Sequence, residues 1–583
     1  MYLDKINSPN DLKKLSKSQL PLLCDEMRQM LLQKLSAHGG HVGPNLGLVE
    51  VTTAMHYVFN SPLDKIVFDV SHQCYAHKML TGRRLAFSDP AHYDDVNGFT
   101  NPQESEHDIF TIGHTSTALS LACGLGKARD LLGQKHNVVA IIGDGSLSGG
   151  EAYEALNNIA EQNTNLIIVV NDNEMSIAEN HGGYYRNLEL LRETNGNAPH
   201  NMFKALGLDY MYVAEGNNVA AMVEAFEKVK DSQRPIVLHV HTQKGKGFLP
   251  AEQNREAFHS GGPFSLETGK YLGANDGETY NEITYQYLQQ KMSADSSVVA
   301  ISSATPVIMG MSQERRKQAG KQFVDVGICE EHAVAFAAGI ARGGAKPVYA
   351  VFGSFIQRSF DQLHQDLALD NNPATILVFW DSVYGMGGPT HNGLYDISEI
   401  SNIPNLVYLA PTCVEEYLEM LDWSVEQKNL SVAIRVPIIV THGEKIGADF
   451  SKINKSQVVR QGHDVAIFAV GSMMHLGTSA VEQLAEKGIS ATLINPVYLS
   501  GLDEELLNTL SHSHSLIVTL EEGILEGGYG QKIASYYGDT DVKVKNFGLQ
   551  KSFFGDFDPD QLLQDNGLTA DNVVNYVVET LGK

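Results

Sequence analysis

Short apolar runs alternate with amphipathic stretches along most of the chain. In the first half, residues 137–146 (NVVAIIGDGS) are an apolar run that ends in glycines, residues 148–162 have helical periodicity, and residues 166–173 (LIIVVNDN) are a second apolar run. Further runs of this kind are 345–355, 374–381, 405–412, 431–437, 464–472, 490–496 and 514–522. Short β-rich runs separated by helical patterns are typical of parallel sheets with crossover helices. The pattern therefore predicts an α/β fold with doubly wound, mostly parallel sheets.

Two polar segments interrupt this alternation and predict domain boundaries. Residues 260–278 are rich in glycine and polar residues, and residues 441–457 are polar and lie between two strand-rich blocks. We place the boundaries near 270 and 445, which also suits a chain of 583 residues with about three domains of ordinary size. The predicted domains are 1–270, 271–445 and 446–583. Residues 181–200 also break the pattern, and we expect a mobile loop near the functional site there.

Composition and charge exclude several classes of protein. The chain has 43 Lys and Arg against 69 Asp and Glu, a formal net charge of −26, so it is a poor candidate for binding nucleic acid or an anionic membrane surface. The five cysteines form no CxxC pair, which argues against a disulfide framework or a zinc site. We find neither an apolar stretch of about 18–20 residues nor a secretory signal pattern. We therefore expect a cytoplasmic enzyme without nucleic-acid or membrane partners.

Polar residues end two neighbouring strands of the first predicted sheet. Gly-Asp-Gly at 143–145 ends one strand, and Asn-Asp-Asn at 171–173 ends the next. Ligand sites in such sheets lie at the carboxyl ends of the strands. Asp144 and an Asn amide from the second motif can therefore meet on one divalent ion, and hard oxygen ligands suit Mg²⁺. The alternative is a pair of ordinary β–α turns, because Gly-Asp-Gly alone is common.

Three histidine clusters lie upstream of this predicted metal site. They are residues 36–41 (SAHGGH), 69–73 (DVSHQ) and 113–117 (GHTST). Small residues let backbone amides approach a ligand closely, and histidine can donate to phosphate or transfer a proton near neutral pH. A single histidine is more often structural than catalytic. Three clusters this close together favour a functional site.

The second half of the chain contributes a different set of candidates. Cys-Glu-Glu-His at 329–332 begins an apolar helix, where a carboxylate could also serve only to interact favourably with the helix dipole. Gly-Ser-Phe at 353–355 ends a strand and is followed by Arg358, and residues 387–391 (GGPTH) form a Gly-rich loop at another strand end. Arg435 lies within a predicted strand, where an arginine needs either a structural carboxylate or a substrate anion as its partner.

These motifs, in this order, resemble the 1-deoxy-D-xylulose-5-phosphate synthase family of the thiamine-diphosphate-dependent transketolase superfamily. The similar segments are 39–60, 69–83, 142–157, 171–180, 241–252, 330–341 and 352–369. The resemblance covers nearly the whole chain and implies three α/β domains of transketolase type and a homodimer. The implied reaction decarboxylates pyruvate and transfers the two-carbon unit to D-glyceraldehyde 3-phosphate. Its products are CO₂ and 1-deoxy-D-xylulose 5-phosphate, a precursor of isoprenoids and thiamine.

The resemblance also implies roles for residues at matching motif positions. The implied cofactors are thiamine diphosphate and Mg²⁺. The implied metal ligands are Asp144, Asn173 and the backbone carbonyl of Met175. The implied cofactor contacts are His72, Gly113, His114, Thr115, Gly143, Gly145, Ser146, Lys244, Phe355 and Glu330. The implied catalytic residues are Glu330, His41, His259 and His391, and the implied substrate contacts are Arg435 and Arg358. Glu330 would hydrogen-bond the aminopyrimidine ring of the cofactor, and Phe355 would stack on it.

The chain departs from the family in the half of the site that takes the aldehyde acceptor. The family usually has Asp-Arg-Ala-Gly where residues 381–384 read Asp-Ser-Val-Tyr, so Ser382 replaces an arginine thought to bind the acceptor phosphate. Phe352 stands where the family commonly has a phosphate-binding tyrosine, and the loops around 181–200 and before His391 are shorter than usual. Losing a bidentate, charge-assisted arginine–phosphate pair should weaken acceptor binding.

These departures keep two other functions open. The first alternative is a transketolase-like or acyloin-forming enzyme that uses the same cofactor and a different acceptor. The second is a catalytically silent paralogue that only binds the cofactor. Retention of Glu330, Asp144, Asn173 and the candidate histidines argues against the silent paralogue.

Overall fold

The computed structural model of the protein describes residues 1–162, 164–273, 277–447 and 449–583. Residues 274–276 of the first predicted linker and residue 448 of the second lie outside the described residues. The chain divides into two compact units. The first comprises Met1–Asp276 with Gly327–Cys329, and the second comprises Gly277–Val326 with Glu330–Lys583. The predicted boundaries near 270 and 445 remain a prediction.

The strands of the described residues form three sheets, the first of them in the first unit. Its strands are β1 (Lys65–Phe68), β2 (Val138–Gly143), β3 (Ile167–Asp172), β4 (Asp209–Val213) and β5 (Ile236–His241). Their order is β1-β2-β3-β5-β4, and each pairing is parallel. Consecutive parallel strands need crossover connections, which helices provide.

The second unit holds the other two sheets. The strands of the second sheet are β6 (Val298–Ser302), β7 (Phe323–Asp325), β8 (Lys346–Phe352), β9 (Thr375–Phe379), β10 (Leu406–Leu409) and β11 (Ser431–Val436). They run parallel in the order β10-β11-β9-β8-β6-β7. The strands of the third sheet are β12 (Gln457–Arg460), β13 (Val465–Ala469), β14 (Ala491–Asn495), β15 (Leu516–Ile524) and β16 (Lys543–Leu549). Their order is β12-β14-β13-β15-β16, with β12 antiparallel to β14.

Helices connect these strands. The α-helices of the first unit are α1 (Pro9–Leu12), α2 (Leu20–His38), α3 (Val42–Gly47), α4 (Val49–Val58), α5 (Tyr75–Lys78), α6 (Leu85–Ser88), α7 (Ala118–Leu131), α8 (Gly150–Gln162), α9 (Gly183–Glu193), α10 (Met202–Ala205), α11 (Val219–Val229) and α12 (Leu249–Gln253). Those of the second unit are α13 (Tyr280–Ala294), α14 (Gln313–Ala319), α15 (Glu330–Arg342), α16 (Gly353–Ile356), α17 (Phe360–Gln362), α18 (Asp396–Ile400), α19 (Val414–Glu426), α20 (Met474–Glu486), α21 (Glu504–Ser511), α22 (Tyr529–Tyr536), α23 (Pro559–Asp565) and α24 (Ala570–Leu581). No helix within the described ranges combines the length and apolarity that a membrane span requires.

The central strands of the first sheet are buried on both faces. Alternate side chains of β2 and β3 pack with α2, α4 and α11 on one face, and the intervening ones pack with α7 and α8 on the other. A strand covered on both faces is continuously apolar. This burial explains why the sequence of these strands shows runs instead of alternation, and it leaves the strand ends as the place for polar side chains. The predicted strands and the predicted α/β fold class are confirmed.

The prediction of a mobile loop at 181–200 is wrong, because α9 occupies much of this segment. Leu188 and Leu191 lie on one side of this helix and are buried in the same core as α7 and α8. The glycines before α9 and the Thr-Asn-Gly sequence after it suggest a loop. The spacing of these two leucines is the helical signal inside it.

The packing of β3 predicts the effect of a core substitution. Ile168 is fully buried between strands and helices, and truncating such a residue to alanine costs about 2–5 kcal/mol. Ile168→Ala should therefore lower the thermal midpoint of unfolding, by about 2–4 °C for each kcal/mol, as measured by circular dichroism. Leu131→Ala is the control, because Leu131 is 76% exposed on α7. Equal midpoints for the two variants would contradict the packing described.

Candidate active site

Two strand-end turns of the first unit lie side by side because β2 and β3 are in register. Gly143 pairs with Asn171 at the carboxyl end of the sheet, and the Asp144 amide donates to the Asn171 carbonyl at 3.0 Å. A Cβ at Gly145 would come within 2.5 Å of the Ser176 Cβ, so the turn after β2 and the segment after β3 can approach this closely only with glycine there. The predicted meeting of these two motifs is therefore observed.

The oxygen atoms at this edge have the character of a magnesium site. Asp144 is buried, and its Oδ2 accepts a hydrogen bond from Asn180 at 2.8 Å. The buried Oδ1 of Asn173 has no hydrogen-bond donor among the described residues. Burial, reinforced by the neighbouring Asp172, raises the pKa of Asp144 well above its ordinary value. A cation between these oxygens would satisfy Asn173 and offset the burial of the Asp144 carboxylate.

The side chains of Asp144 and Asn173 do not supply enough oxygen ligands for Mg²⁺ by themselves, so the site also needs oxygen atoms from the backbone, a phosphate or water. Within the described ranges, no group of three or more His, Cys, Asp or Glu side chains is placed to hold a metal. Met175 lies two residues after Asn173 and is half-buried, and its backbone carbonyl remains a predicted ligand. Mg²⁺ often completes its shell with phosphate oxygens and water. The residues present therefore fit Mg²⁺ bound together with a diphosphate.

Three histidines and a lysine cluster in the same unit. The ring centroids of His41 and His72 are 4.9 Å apart, and those of His41 and His259 and of His72 and His259 are 5.6 and 5.1 Å apart. Lys244 Nζ lies 3.2 Å from His259 Nδ1 and donates to the Ser176 carbonyl at 2.6 Å. Lys244 therefore links the histidine cluster to the segment that follows Asn173.

Burial sets the protonation of this cluster. Burial, with the nearby Lys244 charge, lowers the pKa of His41 to about 4 and that of His259 well below its ordinary value. Burial also lowers the pKa of Lys244 to about 7. These two imidazoles are neutral at pH 7, so each has a nitrogen lone pair that can accept a proton or a hydrogen bond.

Backbone contacts position the remaining candidates of the first unit. Asn45 Nδ2 donates to the carbonyls of both His41 and His72 at 2.8 Å. Asp69, directly after β1, accepts from the Ser116 and Ala118 amides at 2.9 and 3.0 Å. Asp69 therefore holds the turn that contains three further candidates at the carboxyl end of β1. These candidates are Gly113, which is buried, and His114 and Thr115, which are half-buried.

The turn at 113–117 also contacts the turn after β2. Ser116 Oγ donates to the Ser146 carbonyl at 2.8 Å, and Ser146 is buried. The candidates of the first unit that the structure places at the carboxyl ends of β1, β2 and β3 are Gly113, His114, Thr115, Gly143, Asp144, Gly145, Ser146, Asn173 and Met175. Their roles remain predictions.

A polar network behind the Asn173 turn was not found from the sequence. Asp172 is fully buried, and its Oδ2 accepts from Arg192 Nη1 at 2.6 Å and from His239 Nε2 at 2.8 Å. Tyr210 hydrogen-bonds the other nitrogen of His239 at 2.8 Å. Asp172 belongs to a predicted motif, but its partners lie on α9, β4 and β5, and no local pattern connects them.

Glu330 is the central candidate of the second unit. It is the first residue of α15 and is 2% exposed, and Arg358 Nη1 lies 3.4 Å from its Oε2. Burial raises the pKa of Glu330 to about 7, although Arg358 favours the ionised form. Glu330 can therefore hold or release a proton near neutral pH. A carboxyl group that served only the helix dipole would not need burial.

Phe355 and His391 are brought together in the second unit. Their ring centroids lie 5.6 Å apart. Phe352 packs on Phe355 and on Trp380, with centroid distances of 5.3 Å in both cases. The end of β8 therefore presents an aromatic wall beside His391. At position 352 this wall has no hydroxyl group with which to bind phosphate.

The Ser382 hydroxyl is hydrogen-bonded to another residue of the second unit. Its Oγ donates to Glu522 Oε1 at 2.6 Å, and the Val383 amide donates to the same oxygen at 2.7 Å. Ser472 Oγ donates to the other carboxylate oxygen of Glu522 at 2.7 Å. Ser382 therefore fastens the end of β9 to the third sheet and supplies no positive charge.

Arg435 has a structural carboxylate as its partner. Its Nε and Nη2 donate to Asp396 at 2.7 and 3.3 Å, and Nη2 also donates to the Glu522 carbonyl at 2.8 Å. Tyr408 donates its hydroxyl proton to the same Asp396 carboxylate at 2.5 Å. The predicted substrate contacts Arg358 and Arg435 therefore lie in two separate ion pairs, and their role with substrate remains a prediction.

Family models match the chain in three consecutive parts. The model described as 1-deoxy-D-xylulose-5-phosphate synthase matches residues 3–197 and 189–242. The transketolase pyrimidine-binding domain matches residues 277–439, and the transketolase C-terminal domain matches residues 454–573. Together with the parallel sheets, these matches confirm the predicted transketolase-type fold class.

Curated relatives are similar over nearly their whole length. The chain is 37% identical to 1-deoxy-D-xylulose-5-phosphate synthase of Caldanaerobacter subterraneus subsp. tengcongensis, with 99% of both chains covered. It is 38% identical to synthase 1 of Geobacter sulfurreducens, covering 97% of this chain and 95% of that one. It is 37% identical to the synthase of Brevibacillus brevis, covering 99% and 98%. With this identity sustained from end to end, the chain belongs to the 1-deoxy-D-xylulose-5-phosphate synthase family.

Proposed function

We propose that the protein is a transferase that decarboxylates pyruvate and transfers the two-carbon unit to D-glyceraldehyde 3-phosphate, giving 1-deoxy-D-xylulose 5-phosphate and CO₂. The full-length similarity to proteins named for this product carries the proposal. The buried Glu330, whose pKa is raised by burial to about 7, and the unsatisfied oxygen of Asn173 support it independently. We also propose that the enzyme acts as a cytoplasmic homodimer, as the family resemblance implies.

Thiamine diphosphate and Mg²⁺ are the cofactors that we propose. Asp144, Asn173 and the Met175 carbonyl would hold the metal, and His72, His114 and Lys244 would hold the diphosphate. The cofactor would supply the electron sink that decarboxylation of a 2-oxo acid requires. The small residues Gly113, Thr115, Gly143, Gly145 and Ser146 would let backbone amides approach the diphosphate.

The protein's own groups would manage protons and the substrates. Glu330 Oε2 would hold a proton for the aminopyrimidine ring, and Phe355 would stack on that ring. The neutral imidazoles of His41 and His259, together with His391, would accept or return protons at the reacting carbon. Arg435 would offer the two N–H groups of Nη1 to the acceptor phosphate, because its Nε and Nη2 are already bonded.

The first experiment is to measure CO₂ release from pyruvate by the purified protein with thiamine diphosphate and Mg²⁺. We expect release that glyceraldehyde 3-phosphate stimulates, with a five-carbon deoxyketose phosphate detected by mass spectrometry. Glu330→Gln should reduce release by roughly 10²–10⁴-fold, because an amide cannot exchange the proton. Glu331→Gln is the matched control and should keep most of the activity.

The possible results separate the alternatives. CO₂ release that glyceraldehyde 3-phosphate does not stimulate would reject the synthase assignment and favour an enzyme with a different acceptor. No release from the wild type would favour the catalytically silent paralogue. If the wild type is active, an unaffected Glu330→Gln variant would reject the proton-transfer role of Glu330.

The ion pair between Arg358 and Glu330 predicts a shift in pH dependence. Arg358 favours the ionised form of Glu330 and so opposes the effect of burial on its pKa. In Arg358→Met the protonated form should persist to higher pH, so the limb of the pH–rate profile set by Glu330 should move up by about one unit or more. Arg358→Lys keeps a positive charge and should move it less. An unshifted limb in Arg358→Met would show that this pair does not control Glu330.

Arg435 is expected to have both a structural and a substrate-binding role, and two variants separate them. Arg435→Gln leaves the buried Asp396 carboxylate without its cation, which costs about 3–5 kcal/mol. Adding Asp396→Asn removes that charge and should recover much of the thermal stability. The double variant should still have a KM for glyceraldehyde 3-phosphate raised by roughly 10–100-fold, with the KM for pyruvate retained. A stable double variant with an ordinary KM for the triose phosphate would rule out phosphate binding by Arg435.

A further inference from the structure

One face of α9 contacts both turns that carry the proposed metal ligands. Tyr185 donates its hydroxyl proton to the Gly145 carbonyl at 3.2 Å, and Arg192 Nη1 lies 2.6 Å from Asp172 Oδ2. Tyr185 and Arg192 are seven residues apart, so two helical turns place them on the same face. Gly145 follows Asp144 directly, and Asp172 precedes Asn173. A single helix therefore bridges the two turns.

The partner of Arg192 is a buried carboxylate. Asp172 is fully buried, and its Oδ1 accepts from the Glu174 amide at 3.3 Å while its Oδ2 accepts from Arg192 and His239. The Asp172 carboxylate is thus bonded to the backbone on the far side of Asn173. A displacement of this carboxylate would move the backbone on both sides of Asn173, whose side-chain Oδ1 has no donor among the described residues to hold it in place.

The fully buried core contacts of α9 are made by two other residues, and the partly buried Tyr185 also packs against the same core. Leu188 and Leu191 bury their side chains in the core that contains α7 and α8. The charged bond of Arg192 to a buried carboxylate and the bond of Tyr185 to a glycine carbonyl are additional, and both are directed at the turns beside the proposed metal.

We propose that α9 is a positioning clamp for the Mg²⁺ site, with Arg192 acting through Asp172 and Tyr185 acting through Gly145. This inference rests on the proposed function, because it assumes that Asp144 and Asn173 bind Mg²⁺ with thiamine diphosphate. Arg192 and Tyr185 do not themselves ligate the metal. Partners that orient metal ligands commonly control metal affinity by roughly 10–100-fold.

Titration calorimetry with Mg²⁺ at saturating thiamine diphosphate tests the clamp without measuring turnover. We expect Arg192→Met to raise the apparent Kd for Mg²⁺ by roughly 10–100-fold. Arg192→Lys keeps a charged donor and should recover part of the affinity. Tyr185→Phe should weaken binding less, because it removes one neutral hydrogen bond. Arg186→Met is the matched control, since Arg186 lies on the exposed side of the same helix.

The possible results distinguish a failure of the clamp from a failure of the proposed function. Wild-type affinity in Arg192→Met, or an equal loss in Arg186→Met, would overturn the clamp and leave the proposed function standing. Failure of the wild type to bind thiamine diphosphate with Mg²⁺ would instead overturn the proposed function. If Arg192→Met does not fold, as judged by circular dichroism, Tyr185→Phe and Arg192→Lys decide: unchanged Mg²⁺ affinity in both rejects the clamp.

Discussion

The parallel register of β2 and β3 is the constraint on which the candidate site of the first unit depends. Gly143 lies opposite Asn171, and the bond from the Asp144 amide to the Asn171 carbonyl continues the ladder one residue beyond the strand. A shift of this register by one residue would reverse which side chains face each helical layer. Both faces of these strands are buried, so such a shift is strongly opposed. The same burial that stabilises the sheet therefore fixes the turns that carry Asp144 and Asn173 side by side.

Burial also gives the candidate groups their chemistry. Asp144, Lys244, His259 and Glu330 all have pKa values displaced toward the uncharged form, and burial is the largest cause in each case. Such groups reduce the stability of the folded protein when no ligand compensates them, which is why they concentrate at functional sites. A metal would supply the opposite charge to Asp144 and a diphosphate would supply it to Lys244, whereas His259 stays neutral. Glu330 would instead use its displaced pKa, because proton transfer near neutral pH requires it.

Whether a feature of the structure could be predicted from the sequence depends on how far apart along the chain the interacting residues lie. The buried strands and α15 were predicted because each is a local pattern of apolar residues. The turn motifs at 143–145 and 171–173 were predicted to meet because parallel strands end at one edge. The bond of Ser382 to Glu522 joins residues 140 positions apart, and no local pattern identifies it. The same holds for the choice of Asp396 as the partner of Arg435.

The helix at 183–193 shows a different reason for a missed feature. Its flanking glycines are real turn signals, and they obscure a short amphipathic helix between them. This helix is relevant to the site, because it provides Tyr185 and Arg192. A segment with weak periodicity beside a site can therefore hold residues that act on it.

The acceptor half of the site shows that the identity of a residue does not settle what it can bind. Arg435 matches the family motif, yet its Nε and Nη2 are bonded to Asp396 and Glu522. Neither carboxylate oxygen of the nearby buried Asp381 has a donor among the described residues, and burial with the neighbouring Asp396 raises the pKa of Asp381 well above its ordinary value.

The raised pKa of Asp381 matters for the charge that an acceptor phosphate would meet. Arg435 is already paired with Asp396, and a negative charge on a second carboxyl group beside it would repel phosphate. The raised pKa of Asp381 disfavours that second charge. The two N–H groups of Arg435 Nη1 then remain as charged donors, which is fewer than a guanidinium without an internal partner would offer. Ser382 adds no charge to them, so under the proposed function the affinity for a phosphorylated acceptor would depend on these two N–H groups of Arg435.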